Sequence, residues 1–304
     1  MASPAPQRLT SPTDYQSFID KFDTFLFDCD GVLWHGDDLE PGVVDVLAYL
    51  RQSKKNILFV TNNATKSRAK YKGKFDKLGV QAEVGEIFGS AYASAVYIAE
   101  VLKLPKDEKV YVIGESGIEE ELDSEGLQHI GGTDPEDCRL TPAFSLSTFT
   151  LDPKVTIVLA GLDTAITYTK LSKAFQYLTR NPGCRFVATN EDSTYPASGG
   201  TLPGAGAISA PLRYATRMDP VAVGKPHKTM MDCIKAKQHF DPARTVMIGD
   251  RIDTDIAFGK SGGVSTLLVL SGVSKESDLE PNAKPLAIPD FIMKSLGDMA
   301  VLAK

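Results

Sequence analysis

Cysteine is scarce in this chain of 304 residues, which has only Cys29, Cys138, Cys184 and Cys233. No two form a C-x-x-C pair, and four thiols in so long a chain do not make a disulfide framework. A reducing, cytoplasmic setting is expected. Histidine is equally sparse, and His35, His129, His227 and His239 lack the spacing of a zinc site. Basic residues are not in excess. Lys and Arg number 33 against 39 Asp and Glu, a net charge of -6, which argues against the basic stripe of a nucleic-acid binder. No apolar run approaches the ~20 residues of a membrane helix. The opening "MASPAPQRLTSPTDY" has neither the basic leader nor the apolar core of a secretory signal. It is rich in Pro, Ser and Thr, so residues 1–19 are expected to be frayed. The closing "VLAK" is not a known address. The sequence also lacks G-x-x-x-x-G-K-[ST], H-E-x-x-H and G-x-S-x-G, and "GAGAIS" (204–209) lacks the third glycine of a dinucleotide fingerprint. The sequon Asn63-Ala64-Thr65 carries no meaning in a cytosolic protein.

What is present is a globular composition: 42% hydrophobic and 24% charged residues, enough for about one or two domains with a sizeable core. Short apolar runs recur along the chain: "TFLFD" (24–28), "NILFVTN" (56–62), "KVYVIG" (109–114), "TIVLAG" (156–161), "RFVATN" (185–190), "VAVGK" (221–225), "TVMIGD" (245–250) and "STLLVLSG" (265–272). Such near-continuous runs suit strands buried on both faces of a parallel sheet. Amphipathic helices are predicted between them at 41–55, 91–103 and 170–180. The first opens with Pro41 and places Val44, Leu47 and Leu50 on one face. The alternation predicts an α/β protein with a doubly wound parallel sheet. The segment 107–214 has strands and helices of its own and ends in the Gly/Pro-rich "SGGTLPGAGA" (198–207). It is expected to be a second domain inserted into a core formed by 20–106 and 215–304.

Four of the runs end in chemistry-bearing residues: Asp28 with Asp30 beyond it; Thr61, Asn62 and Asn63; Lys225; and Asp250 with Asp253 and Asp255 after it. Ligands of open α/β sheets bind at the carboxyl ends of the strands. If these four strands are neighbours, carboxylates, a hydroxyl, amides and an ammonium meet in one crevice. Asp28 and Asp250 suit Mg²⁺, a hard cation that takes one or two carboxylates besides substrate phosphate and water. Thr61, the N–H groups of residues 62–63 and Lys225 suit phosphate oxygens. A carboxylate beside the metal can attack phosphorus, and a second carboxylate two residues on can move the proton of the leaving oxygen and then of water. Gly31 permits a sharp turn directly after the two aspartates.

The stretches "DCDGVLW", "VTNN", "VGKP" and "GDRIDTDI" resemble, in order, the four motifs of the haloacid-dehalogenase phosphatase superfamily. "TNNATKSRAKY", "SAYASAVYI", "GESGIEEEL", "AGLDT", "TNEDSTYP" and "GKPHKTM" extend the likeness over nearly all of 20–300. They resemble the eukaryotic group of 4-nitrophenylphosphatases, phosphoglycolate phosphatases and pyridoxal phosphatases. The resemblance implies a Rossmann-like core with an inserted α/β cap. It also implies Asp28 as nucleophile and Mg²⁺ ligand, Asp30 as general acid/base and, through its carbonyl, a ligand, and Asp250 as the third protein ligand. Asp255 is implied as a supporting carboxylate behind the metal, Thr61, Asn62 and Asn63 as the phosphate loop, and Lys225 as the phosphate anchor. Family members often pair through their caps, which implies a homodimer.

Tyr195 stands where the pyridoxal phosphatase branch carries a substrate-contacting histidine. It is either a substrate contact or a packed cap aromatic. The tyrosine favours small anionic esters, so the expected activity is phosphomonoester hydrolysis of small metabolites, 2-phosphoglycolate foremost, with 4-nitrophenyl phosphate as an artificial substrate. Pyridoxal 5′-phosphate or phosphotyrosyl proteins are the alternative substrates, and a non-catalytic phosphate sensor the alternative class. Neither nucleic acid nor membrane is expected as a partner. Asn190 and Asp192 read as specificity contacts or loop-forming residues, and Gly204 and Gly206 as backbone devices. Cys29 is a small buried residue or a redox-sensitive thiol. Asp253 and His35 read as surface groups, Arg251 and His227 as structural.

Overall fold

The computed structural model describes residues 5–140, 144–197, 199–280 and 283–303. Ser198 of the expected Gly/Pro-rich loop, residues 1–4 and Lys304 lie outside the described residues. The chain divides into two compact units. The first comprises Met1–Thr61, Lys72–Phe88 and Lys225–Lys304, the second Asn62–Tyr71 and Gly89–Gly224. The divisions fall earlier and later than 106/107 and 214/215; the helix Ser90–Val96, which packs against the helix Ser116–Ser124, joins the second unit.

The first unit is built on a seven-stranded sheet. Its order is Gln7–Arg8, Phe291–Met293, Ser265–Val269, Thr245–Gly249, Thr24–Phe27, Asn56–Thr61 and Ile87–Gly89. The pairings among the first six strands are parallel. Thr24–Phe27 is central, with Phe27 opposite Ile248 on one side and Phe59 on the other. All four of its residues are buried, as the unbroken apolar run requires. Three carboxyl ends therefore lie side by side: those carrying Asp28, Thr61 and Asp250.

The N-terminal segment departs from the frayed expectation. Gln7–Arg8 adds a parallel strand to Phe291–Met293, and Pro12–Lys21 is a helix. Ser11 caps it: its hydroxyl accepts from Asp14 N–H at 3.2 Å while Asp14 Oδ2 accepts from Ser11 N–H at 2.9 Å. This reciprocal box satisfies two amides that a helix start leaves orphaned. Phe18 on this helix and Phe22 directly after it then pack edge-to-face with Phe25 and Phe291, at about 0.5–1.5 kcal/mol per aromatic pair beyond area burial.

The second unit has a five-stranded sheet, in the order Val221–Ala222, Arg185–Ala188, Val155–Ala160, Lys109–Ile113 and Gln128–Gly131, with every pairing parallel. Its core gathers Tyr111, Val158, Tyr177, Phe186 and Leu212 under the helix Tyr168–Arg180, which is capped by the Thr167 hydroxyl accepting from Lys170 N–H. A two-stranded antiparallel hairpin, Thr194–Ala197 with Gly200–Pro203, pairs Tyr195 with Leu202. Here the expectation of four neighbouring motif strands fails. The strand of "VAVGK" is Val221–Ala222, and it pairs with Arg185–Ala188 in this sheet. Lys225 lies beyond its end, after the chain has returned to the first unit. Among the described residues, no helix is long and apolar enough to cross a membrane.

Candidate active site

In the first unit, three carboxylates and one ammonium share the space at the carboxyl ends of Thr24–Phe27 and Thr245–Gly249. Asp28 continues the sheet by donating its N–H to Ile248 O at 2.9 Å. Its Oδ1 lies 2.7 Å from Lys225 Nζ, which also touches Asp255 Oδ1 at 2.8 Å and donates to Val60 O at 2.9 Å. Asp28, Asp250 and Asp255 each offer an oxygen within 4.8 Å of the others, and all three are buried. Asp250 is held by the loop after Ser265–Val269: Val273 N–H donates to its Oδ2 at 2.7 Å, and Ser274 N–H to its carbonyl at 3.0 Å. Asp255 Oδ2 accepts from Arg251 N–H at 3.1 Å.

Room for these carboxylates is made by glycine. Gly31 has φ +88°, and a Cβ there or on Gly272 would collide with the Asp250 carboxylate. Glycine thus supplies both the left-handed turn and the close approach.

The charge balance is uneven. Burial, then the Asp255 and Asp250 charges, push the Asp28 pKa well above the carboxylate range, against the pull of Lys225. Burial and Asp255 push Asp250 up to about 7. Burial opposes the Lys225 charge, but Asp255 and Asp28 outweigh it and hold its pKa above that of an ordinary lysine. One ammonium touches Asp28 and Asp255 with Asp250 beside them, and Asp250 Oδ1 is buried without a hydrogen-bond partner among the described residues. A buried oxygen in that state is costly. Three clustered carboxylates, with Asp250 Oδ1 left unsatisfied, fit a divalent cation. Asp255 thus belongs to the carboxylate cluster itself.

Asp30 is not one of these three grouped carboxylates. Its Oδ1 accepts from Trp34 Nε1 at 2.9 Å and lies 3.5 Å from Lys74 Nζ, and its side chain is 42% exposed. Lys74 stands over the Trp34 ring at 4.4 Å, a cation–π contact. Thr61 is buried at the end of its strand. His35 is exposed on the short strand Trp34–His35, and Arg251 pairs with the exposed Asp253 at 2.8 Å.

Asn62, Asn63, Asn190, Asp192, Tyr195, Gly204 and Gly206 belong to the second unit. Asn63 Oδ1 accepts from Thr65 N–H and Oγ1, both at 2.9 Å, closing a local turn. The side-chain amide of Asn62 donates to both oxygens of Asp192 at 3.2 and 3.0 Å. Tyr195 is half-buried on the hairpin. Gly204 and Gly206 pack on the backbone of 191–193, their N–H groups donating to Ser193 O and Asp192 O. The sequence reading missed Trp34 and Lys74 as neighbours of Asp30, the 271–274 loop as the holder of Asp250, and Ser90, whose hydroxyl donates to Asn62 O at 2.7 Å. Only the loop left a trace, the small residues of "LSGVS" directly after a buried strand.

Residues 25–128 match the family model of the haloacid dehalogenase-like hydrolases, and residues 222–299 match a second, HAD-hydrolase-like model. The 4-nitrophenylphosphatase of Schizosaccharomyces pombe is 48% identical over 298 residues, covering 98% of this chain and 99% of that protein. Phosphoglycolate phosphatase 2 of Arabidopsis thaliana is 43% identical over 301 residues, covering 98% of each. The solved structure of the p-nitrophenyl phosphatase from Archaeoglobus fulgidus superposes with a TM-score of 0.78 at 30% identity, covering 92% of this chain and 99% of that one. With likeness running through nearly the whole chain, and both family models spanning the clustered carboxylates, the chain belongs to the haloacid dehalogenase-like hydrolase family.

Proposed function

We propose that this protein is a Mg²⁺-dependent phosphomonoester hydrolase that works through an aspartyl-phosphate on Asp28, with 2-phosphoglycolate as its main substrate and 4-nitrophenyl phosphate as an artificial one. The observation that carries the reading is the buried Asp28 carboxylate, 2.7 Å from Lys225 and grouped with Asp250 and Asp255. Asp28, Asp250 and the Asp30 carbonyl would hold the metal. Mg²⁺, when bound, supplies the positive charge that offsets the clustered carboxylates and the incoming phosphate.

The chain's own groups do the rest. A carboxylate oxygen of Asp28 forms a bond to phosphorus as the bond to the leaving oxygen breaks. The Asp30 carboxyl gives its proton to that leaving alkoxide. As carboxylate, it then takes a proton from the water that attacks phosphorus, and the acyl-phosphate bond breaks to return Asp28 and free phosphate. Lys225, the Thr61 hydroxyl and the 62–63 loop balance charge on the phosphoryl oxygens. The second unit serves as the substrate-specificity cap, with Tyr195 as a substrate contact. Two relatives named for 4-nitrophenyl phosphate and phosphoglycolate support the choice of substrate. Tyrosine rather than histidine at 195 disfavours pyridoxal 5′-phosphate. All four cysteines are thiols, with no disulfide among the described residues, in keeping with a cytoplasmic enzyme, and we place it there as a cap-paired homodimer.

The test is phosphate release by the purified protein with Mg²⁺ and with EDTA, across 2-phosphoglycolate, 4-nitrophenyl phosphate, pyridoxal 5′-phosphate and a phosphotyrosyl peptide. The expected result is Mg²⁺-dependent turnover with the highest kcat/KM on 2-phosphoglycolate. A higher kcat/KM on pyridoxal 5′-phosphate or the peptide overturns the substrate assignment. No turnover of any ester overturns the enzymatic reading in favour of a phosphate sensor.

A further inference from the structure

The proposed chemistry leaves Ser90 and Asn190 without a task, yet both are almost fully buried polar residues. Both converge on one carbonyl. Asn62 O accepts from Ser90 Oγ at 2.7 Å and from Asn190 Nδ2 at 2.9 Å. A carbonyl oxygen has two lone pairs, and both are engaged. Asn190 Oδ1 in turn accepts from Asp192 N–H at 3.1 Å, and Asp192 takes the Asn62 side-chain amide. Gly224 closes the group: its N–H donates to Thr189 O at 2.7 Å, and a Cβ on it would fall 2.7 Å from Asn62 Oδ1 and 2.9 Å from Asn190 Cβ.

The location matters more than the count of bonds. The chain leaves the first unit between Thr61 and Asn62 and returns to it between Gly224 and Lys225. Within the second unit, Asn190 thus joins the two residues that are covalent neighbours of Thr61 and Lys225. The peptide unit adds a second constraint. The carbonyl of residue 62 and the N–H of residue 63 lie in one plane and point in opposite directions. Two donors fixing Asn62 O therefore fix the direction of the Asn63 N–H, one of the backbone donors assigned to phosphate.

We propose that Asn190 and Ser90 are positioning residues for the phosphoryl group. By holding the Asn62 carbonyl from two sides, they set the direction of the Asn63 N–H. This rests on the phosphatase reading, and it assigns neither side chain a contact with the organic part of the substrate. A loop that merely shapes the pocket would alter discrimination between esters. A device that aims donors at the phosphoryl group alters the binding of every ester, and of inorganic phosphate, by the same factor.

The experiment uses the full-length, Mg²⁺-loaded protein and its Asn190→Ala, Ser90→Ala and Ser90→Thr variants. KM and kcat are measured on 2-phosphoglycolate and 4-nitrophenyl phosphate, with the inhibition constant of inorganic phosphate and the thermal midpoint. For Asn190→Ala, KM for both esters and the phosphate inhibition constant should rise together by about 10-fold, with the ratio of kcat/KM between the esters unchanged. Ser90→Ala should do the same to a smaller degree, and Ser90→Thr, which keeps the hydroxyl, should restore wild-type values. Because Ser90→Ala removes a single oxygen, it reads the same quantity if Asn190→Ala does not fold. Unchanged KM with only a lowered thermal midpoint makes the two residues scaffolding and overturns the proposal. A changed ratio between esters makes them direct specificity contacts and also overturns it. A wild-type protein that hydrolyses neither ester defeats the phosphatase reading itself, a result distinct from variants that merely match an active wild type.

Discussion

Both units bury charged side chains, and they do so in opposite ways. In the second unit, Lys170 and Asp163 are each 1% exposed and meet at 2.7 Å, one charge against one. Asp163 Oδ1 accepts a further bond from Ala165 N–H at 2.9 Å. Nearby, the buried Asp137 accepts from Tyr111 Oη at 2.7 Å and pairs with Lys173. In the first unit, Lys225 faces Asp28 and Asp255 with Asp250 beside them, and Asp250 Oδ1 has no hydrogen-bond partner among the described residues. A balanced, satisfied pair can be internal scaffolding. A surplus of like charge in the same degree of burial costs too much to persist for packing alone, so the cluster fits a divalent cation. Burial does not separate a site from a scaffold here; the sum of charges and the unsatisfied oxygen do.

That contrast sets how each cluster should respond when one charge is removed. Asp28→Asn keeps the shape and removes the proposed nucleophile, so turnover should fall by at least about 10⁴-fold while circular dichroism and the melting curve stay folded. Multiple-turnover hydrolysis by this variant, followed as phosphate release, would remove Asp28 from its role. The scaffold pair should behave the other way round. Lys170→Met leaves Asp163 buried and unpaired, at a cost of about 3–5 kcal/mol. The double change Lys170→Met with Asp163→Leu should recover most of that in guanidinium titrations, with kcat close to wild type in whatever fraction is folded.

Asp250 gives a stability effect of opposite sign. Its pKa is raised to about 7 by burial and by Asp255, against ~4 in an unfolded chain. A carboxyl raised in the folded state binds its proton more tightly there, so its contribution is fully present below about pH 4 and is lost as pH rises through about 7. In EDTA, Asp250→Asn should therefore become the more stable protein as pH climbs from about 4 to 8. The gap at the upper end should be on the order of 4 kcal/mol, and millimolar Mg²⁺ should narrow it by stabilising the wild type alone. Parallel pH profiles for the two proteins in EDTA would show that the three carboxylates do not strain one another. Activity should be lost in the variant at every pH, the usual exchange of stability for a charged site.

The same physics explains which features were legible in the sequence alone. Runs such as "TFLFD" and "TVMIGD" are unbroken because both faces are covered, and chemistry demands particular side chains at their ends, so strands and candidate ligands were visible together. Gln7–Arg8 was not, because two exposed polar residues form a strand only once Phe291–Met293, far away in the chain, offers its edge. The capping pair Ser11 and Asp14 was present in "SPTD" but was outweighed by the Pro/Ser/Thr composition. Val221–Ala222 looked like a core strand because a two-residue apolar run carries no mark of the sheet that will accept it. Ser90 and Asn190 were the least visible in their joint role. Neutral polar residues 28 and 128 positions from Asn62 announce no chemistry until the fold places their donors on one carbonyl.

The smallest effect is expected at Tyr195, and it concerns choice rather than rate. This residue is half-buried on the Thr194–Ala197 strand, opposite Leu202. Tyrosine and histidine both present a flat ring with a polar tip, but the imidazole is shorter and carries its donor on the ring itself. If Tyr195 contacts the organic part of the substrate, Tyr195→His should move the ratio of kcat/KM from 2-phosphoglycolate toward pyridoxal 5′-phosphate by about 2- to 10-fold, the worth of one net hydrogen bond. The inhibition constant of inorganic phosphate should stay put, because the phosphoryl donors are untouched. That pattern is the reverse of the one expected for Asn190→Ala, where phosphate affinity moves and the ratio does not. Measured side by side, the two variants separate aiming the phosphoryl group from choosing what is attached to it. An unmoved ratio with a lowered melting point would leave Tyr195 as a packed aromatic of the hairpin and return substrate choice to other residues of the second unit.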